Sequence, residues 1–105
     1  MSAVTHNKLV RDLIPQIIEV SGKTCVTRTL SEEEYLAALD AKLQEELNEY
    51  QADKSMEELA DLLEVMMAVA EARGHCFTEV EALRQKKADE RGGFRERIFL
   101  ETVEA

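Results

Sequence analysis

The sequence predicts an all-α fold: one domain spanning residues 1–105, built as a helical bundle whose core is completed by oligomerisation. Three observations carry that expectation. Apolar residues recur at three- and four-residue spacing over most of the chain. Ser/Thr-x-x-Glu signatures stand at the head of three segments. Ala, Leu, Met and Glu abound, while aromatics are limited to three Phe and two Tyr, a helical-bundle composition.

In NKLVRDLIPQIIEVSG, Leu9, Val10, Leu13, Ile14, Ile17 and Ile18 have helical spacing. Pro15 kinks that helix or starts a fresh turn, because proline fits a first helical position and disfavours helix before it. Gly22 ends the element. Thr24–Thr29 (TCVTRT) is β-branched and predicts a single short β element. Ser31 with Glu34 forms a capping box that opens a helix to about Gln51, with a core stripe of Leu36, Leu39, Leu43, Leu47 and Tyr50. Ser55 with Glu58 opens Met56–Arg73, which Gly74 stops. Thr78 with Glu81 opens a last helix to about Glu90, ahead of Arg91-Gly92-Gly93. The tail FRERIFLETV alternates weakly and reads as extended.

The Met56–Arg73 helix carries the oligomer expectation. At about 100° per residue, its Leu, Met, Val and Ala residues cover more than half the circumference. A helix apolar nearly all round is buried on several sides, which a 105-residue monomer can hardly arrange.

A net charge of −9 argues against nucleic-acid polymers and anionic membranes as partners, since phosphates are repelled except at a local basic patch. The uncharged apolar run Val65–Ala70 is far too short to span a bilayer. Met1–Lys8 is polar and no apolar segment of a secretory signal follows it, so the expected location is cytoplasmic. Cys25 and Cys76 match no metal or redox spacing, as expected for reduced thiols.

The chemistry concentrates in EELNEYQADKSMEELAD, Glu45–Asp61. Glu46 lies roughly 60° from Leu43 on the helix circumference, and Glu49 another 60° round, at the edge of the core stripe. Glu58 and Asp61 flank the apolar arc of the next helix in the same way. The short connection near Ala52–Lys54 makes the two helices antiparallel, so the pairs can face one another. Four converging carboxylates repel unless a cation sits among them, and oxygen-only ligands select a hard ion, Mg²⁺ or alternatively Mn²⁺. On spacing alone, helix capping and a solvated acidic face explain the pairs as well. The segregation of positive charge favours a site: Arg84, Lys86, Lys87, Arg91, Arg95 and Arg97 are six of the thirteen basic residues, with Lys8 and Arg11 near the start. Acids holding metal beside basic side chains suit a polyphosphate. Lys42, one turn before Glu46, either contacts phosphate or pairs with the acid.

KLQEELNE followed by EELAD resembles the E-E-x-x-E … E-x-x-D signature of the all-α nucleoside triphosphate pyrophosphohydrolase superfamily, the MazG-like proteins. NKLVRDLIP, EELADLLEVMMA and KKADERGGFRERIFL resemble its phosphoribosyl-ATP pyrophosphohydrolase-like subgroup, in order along nearly the whole chain. Two departures stand out: only eight residues separate Glu49 from Glu58, and Leu13 stands where the subgroup often has Lys.

The resemblance implies a MazG-like four-helix core in a homodimer or homotetramer. It also implies Mg²⁺-dependent cleavage of the α–β phosphoanhydride of a nucleotide, giving a monophosphate and pyrophosphate. Glu46, Glu49, Glu58 and Asp61 are then the metal ligands. Glu45 supports the site or orients the attacking water, with Glu46 beside it in the catalytic pair. Lys42, Lys86, Lys87, Arg91, Lys8 and Arg11 are the candidates for phosphate contact. The rival expectation is a non-catalytic helical oligomer that binds metal or nucleotide in a regulatory role. A di-iron bundle is excluded, because that chemistry expects Glu-x-x-His pairs and His6 and His75 lie outside both motifs.

Overall fold

Residues 3–105 are described by a computed structural model, in which four helices follow one another: α1 (Ile14–Val20), α2 (Glu32–Asp53), α3 (Met56–Ala72) and α4 (Phe77–Arg91). Among the described residues there is no strand, so the architecture is all-α. The expected β element at Thr24–Thr29 is irregular instead. β-propensity reflects packing against a neighbouring strand, and none lies beside this segment; Val26 is fully exposed.

α1 shows how Pro15 acts. The helix begins at Ile14, with the proline in its first turn, and the apolar residues Leu9, Val10 and Leu13 before it stay outside the helix. Of the two options open at Pro15, the chain takes the fresh turn.

α2 starts where the capping box predicts. The Ser31 hydroxyl accepts the Glu34 N–H at 3.2 Å, and the Glu34 carboxylate accepts the Ser31 N–H at 3.1 Å. Arg28 forks onto the same carboxylate at 3.1 and 3.3 Å. These donors, Arg28 foremost, hold the Glu34 carboxyl at about 2 against an ordinary 4.5. A depressed folded-state pKa contributes stability that is complete above 4.5 and is lost as pH falls toward 2. Ser31→Ala is expected to lower unfolding stability by about 1 kcal/mol in chemical denaturation, and Glu34→Gln to flatten this acid limb.

The α2–α3 turn is tight. Lys54 closes α2 in the left-handed conformation (φ 61°), its N–H donating to the Tyr50 carbonyl at 2.6 Å, and Ser55 caps α3 directly after it. The result is an antiparallel hairpin, and α2 against α3 is its principal helix interface. Gly74 (φ 86°) turns the chain out of α3, a conformation that disfavours any Cβ. α4 begins earlier than its sequence signature suggests: Cys76, rather than Thr78, is the N-cap residue, and the Glu79 carboxylate, rather than that of Glu81, accepts its N–H at 3.4 Å. Glu81 is occupied by Arg84 at 2.6 Å.

What the hairpin buries is small. Leu39, Val65 and Ala70 are its buried apolar residues, none of them sealed completely, and α4 has none. The radius of gyration is 18.6 Å over extents of 67 × 31 × 24 Å, against about 13 Å for a compact chain of this length. Met56, Leu59, Leu63 and Met66 on α3 are exposed, as are Phe94, Ile98, Phe99 and Leu100 beyond α4. No helix among the described residues is long and apolar enough to cross a membrane.

Candidate metal centre

The hairpin brings the acids together at its closed end. Glu46 on α2 and Glu58 and Asp61 on α3 each offer a carboxylate oxygen, all within 4.8 Å of one another. A second triad, Glu45, Glu46 and Glu49, shares Glu46 and lies along α2 alone. The geometry follows from local sequence: two short-spaced acid pairs sit at opposite sides of a tight turn, each on the edge of a stripe that packs against the other helix. Glu46 is the buried member at 6% exposure; Glu45, Glu58 and Asp61 are half-buried and Glu49 is exposed.

Two atoms define the centre. Glu46 Oε2 and Glu58 Oε2 are both buried and accept no hydrogen bond from the protein. Leaving a buried acceptor unpaired costs on the order of 1–3 kcal/mol, and more when it carries charge. Glu58 had an alternative in its cap. The Ser55 hydroxyl accepts the Glu58 N–H at 3.2 Å, but the carboxylate does not return to the Ser55 backbone; the box is half-formed, and the side chain is directed into the acid cluster. Capping thus uses the backbone of Glu58 and leaves its side chain to the acid cluster.

Electrostatics match. Burial, reinforced by Glu49, pushes the Glu46 carboxyl above its ordinary value, while the Lys42 ammonium pulls it back. Lys42 Nζ lies 3.3 Å from Glu46 Oε1 and 3.4 Å from Glu45 Oε2. Lys8 reaches Glu45 Oε1 at 4.0 Å. Arg11 donates to Asp61 Oδ1 at 2.7 Å and extends its other amino group toward Glu64 at 3.9 Å. Three cations therefore border the cluster, and none reaches the two orphaned oxygens.

The donor set fits a hard divalent cation. It is all carboxylate, contributed by two rigid helices, and contains two buried oxygens with no other partner. Glu46, Glu58 and Asp61 would hold the ion, with Glu49 and Glu45 able to complete the shell from the α2 side.

The remaining sequence candidates divide. Lys8, Arg11 and Lys42 stand at the acids. Lys86, Lys87 and Arg91 are exposed on α4, and among the described residues none pairs with the four acids. Two features escaped the sequence pattern. Glu64, one turn beyond Asp61, shares Arg11. A cleft of about 280 Å³ opens between the N-terminal segment and α2, lined by Asn7, Lys8, Ala38, Ala41, Lys42 and Glu45. Its signal was present in Ala38 and Ala41: small residues one turn before Lys42 and Glu45 leave room on that face.

Compared with known proteins, the chain matches no protein-family model. No solved structure matches it. It is 62% identical over 45 residues to a protein of Mycolicibacterium smegmatis described as uncharacterized. The aligned stretch makes up 43% of this chain and 46% of the relative, so the chain spans about half the length of the protein it resembles.

Proposed function

We propose that this protein is a Mg²⁺-dependent nucleotide pyrophosphohydrolase of the MazG-like kind. It cleaves the α–β phosphoanhydride of a nucleoside triphosphate or related nucleotide to a monophosphate and pyrophosphate, and it acts as a homo-oligomer. The observation that carries this reading is the pair of orphaned buried oxygens, Glu46 Oε2 and Glu58 Oε2, in a three-carboxylate cluster bordered by Lys and Arg.

In this reading Glu46, Glu49, Glu58 and Asp61 hold the ion. When bound, Mg²⁺ supplies Lewis-acid polarisation of phosphate oxygens and charge neutralisation at the leaving pyrophosphate. The chain's own side chains do the rest. Lys42 and Lys8 fix the Glu45 carboxylate at the mouth of the cleft, where it orients the attacking water and accepts its proton. Glu46 stands beside it as its partner in the catalytic pair, its carboxylate shared with the cluster that holds the ion. Arg11 and Lys42 exchange carboxylate partners for phosphate oxygens as substrate enters, so the charge they neutralise changes hands without being exposed. Lys86, Lys87 and Arg91 reach the polyphosphate only if oligomer assembly brings α4 over an acid cluster.

Oligomerisation is supported by the surface left open. The chain exposes 9618 Å², against about 5,900 Å² for a compact monomer of its mass. The expected cytoplasmic location belongs to the same reading.

A panel of nucleoside triphosphates incubated with Mg²⁺ and assayed for pyrophosphate tests the function. Metal-dependent pyrophosphate release is expected; nucleotide binding without turnover would establish the non-catalytic regulatory role instead.

A further inference from the structure

Two apolar surfaces do not meet among the described residues. One is a groove of about 320 Å³ on α3, lined by Met56, Leu59, Leu62, Leu63 and Met66. On the helix circumference it points away from Val65 and Asp61, which face α2, so α2 does not cover it. The other is the segment after α4. Phe94, Ile98, Phe99, Leu100 and Val103 are each more than 70% exposed in an extended, irregular arm. Gly92 (φ 82°) and Gly93 launch that arm, and a Cβ at either meets nothing within 4 Å.

We propose that the C-terminal arm of one copy docks in the α3 groove of a second copy, reciprocally, so that the dimer is held by exchanged arms. This inference rests on the homo-oligomer reading and adds the segment that makes it.

Three observations support it. Apolar length is matched on both sides: the groove runs from Met56 to Met66, about 15 Å of helix, and a few extended residues of the arm span it. Local ion pairs are available: Arg95 and Arg97 lie beside the arm's apolar residues, and Glu57 and Glu71 are exposed on the side of Ala60 at the groove's edge, while Glu96, Glu101 and Glu104 leave the arm as a whole with no positive excess. Area suffices, because the surface in excess of a compact monomer far exceeds the roughly 800 Å² per partner of a stable interface. Exchange of an identical element between protomers is also a low-cost route to a dimer.

Cross-linking in the full chain tests this. Leu63→Cys and Phe99→Cys are combined with Cys25→Ser and Cys76→Ser, and the mild-oxidation product is run without reductant. A covalent dimer is expected, absent from either single-cysteine control. An intramolecular disulfide of monomer size overturns exchange, as does no disulfide while the wild type sediments as a dimer. A monomeric wild type overturns the oligomer reading together with it. Independently, Phe99→Arg with Leu100→Arg is expected to weaken the dimer at least tenfold by sedimentation; unchanged affinity contradicts the arm's role. Pyrophosphate release, measured separately, distinguishes failure of the arm from failure of the enzymatic reading.

Discussion

Glu58→Gln and Asp61→Asn are each expected to lower Mg²⁺-dependent turnover about a hundredfold or more while leaving the helical circular-dichroism spectrum intact. A hundredfold corresponds to about 2.7 kcal/mol of lost transition-state stabilisation. That is reasonable for removing one carboxylate from the Glu46–Glu58–Asp61 cluster, whose oxygens lie within 4.8 Å of one another. Neither substitution removes backbone capping, because Glu58 contributes its N–H to Ser55 and its side chain takes no part in the cap. Glu49→Gln leaves the Glu46–Glu58–Asp61 triad whole and is expected to cost less, since Glu49 is exposed. Equal turnover in Glu58→Gln and the wild type would contradict ligation by α3.

Glu46→Gln is expected to move stability in the opposite direction from activity. The folded-state pKa of Glu46 is raised above 4.5, chiefly by burial. A raised pKa means that the native state binds more protons than the unfolded state between those two values. Its favourable contribution is therefore complete below 4.5 and is lost as pH rises through the folded-state value. The carboxylate form of Glu46 is a buried charge with one orphaned oxygen in the metal-free protein. The amide removes that charge and still presents an oxygen to Lys42. In metal-free buffer at pH 7 the variant should melt about 5 °C higher than the wild type, from roughly 1 kcal/mol in a domain of this size. The wild type's decline between acidic and neutral pH should flatten in the variant. Mg²⁺ should raise the wild-type melting temperature and leave the variant nearly unmoved. A variant that melts lower at every pH would contradict the orphaned-charge description.

Much of this was legible in the sequence, for local reasons. Ser31-x-x-Glu34 and Ser55-x-x-Glu58 announce α2 and α3 because cap chemistry needs only four adjacent residues. The Glu46–Glu58–Asp61 convergence follows from helical period plus a short turn. Where the reading failed, the deciding contact was absent or non-local. Thr24–Thr29 has strand composition but no strand to pair with, and Thr78-x-x-Glu81 lost to Cys76 and Glu79 because Gly74 released the chain early enough for α4 to start sooner. The Arg11–Asp61 pair joins residues 50 positions apart, a separation that no periodicity records. The half-use of the second cap was equally hidden. A capping box and a metal ligand call for the same glutamate, and only the direction of the Glu58 side chain separates them.

The central claim is that these carboxylates form a divalent-cation site, and titration with Mn²⁺ followed by electron paramagnetic resonance tests it most directly. The wild type is expected to quench the free-ion signal saturably, Mg²⁺ to restore it by competition, and Glu58→Gln to lose that binding. Mn²⁺ uptake that is unsaturable, indifferent to Mg²⁺ and unchanged in Glu58→Gln would show a merely acidic surface and contradict the account.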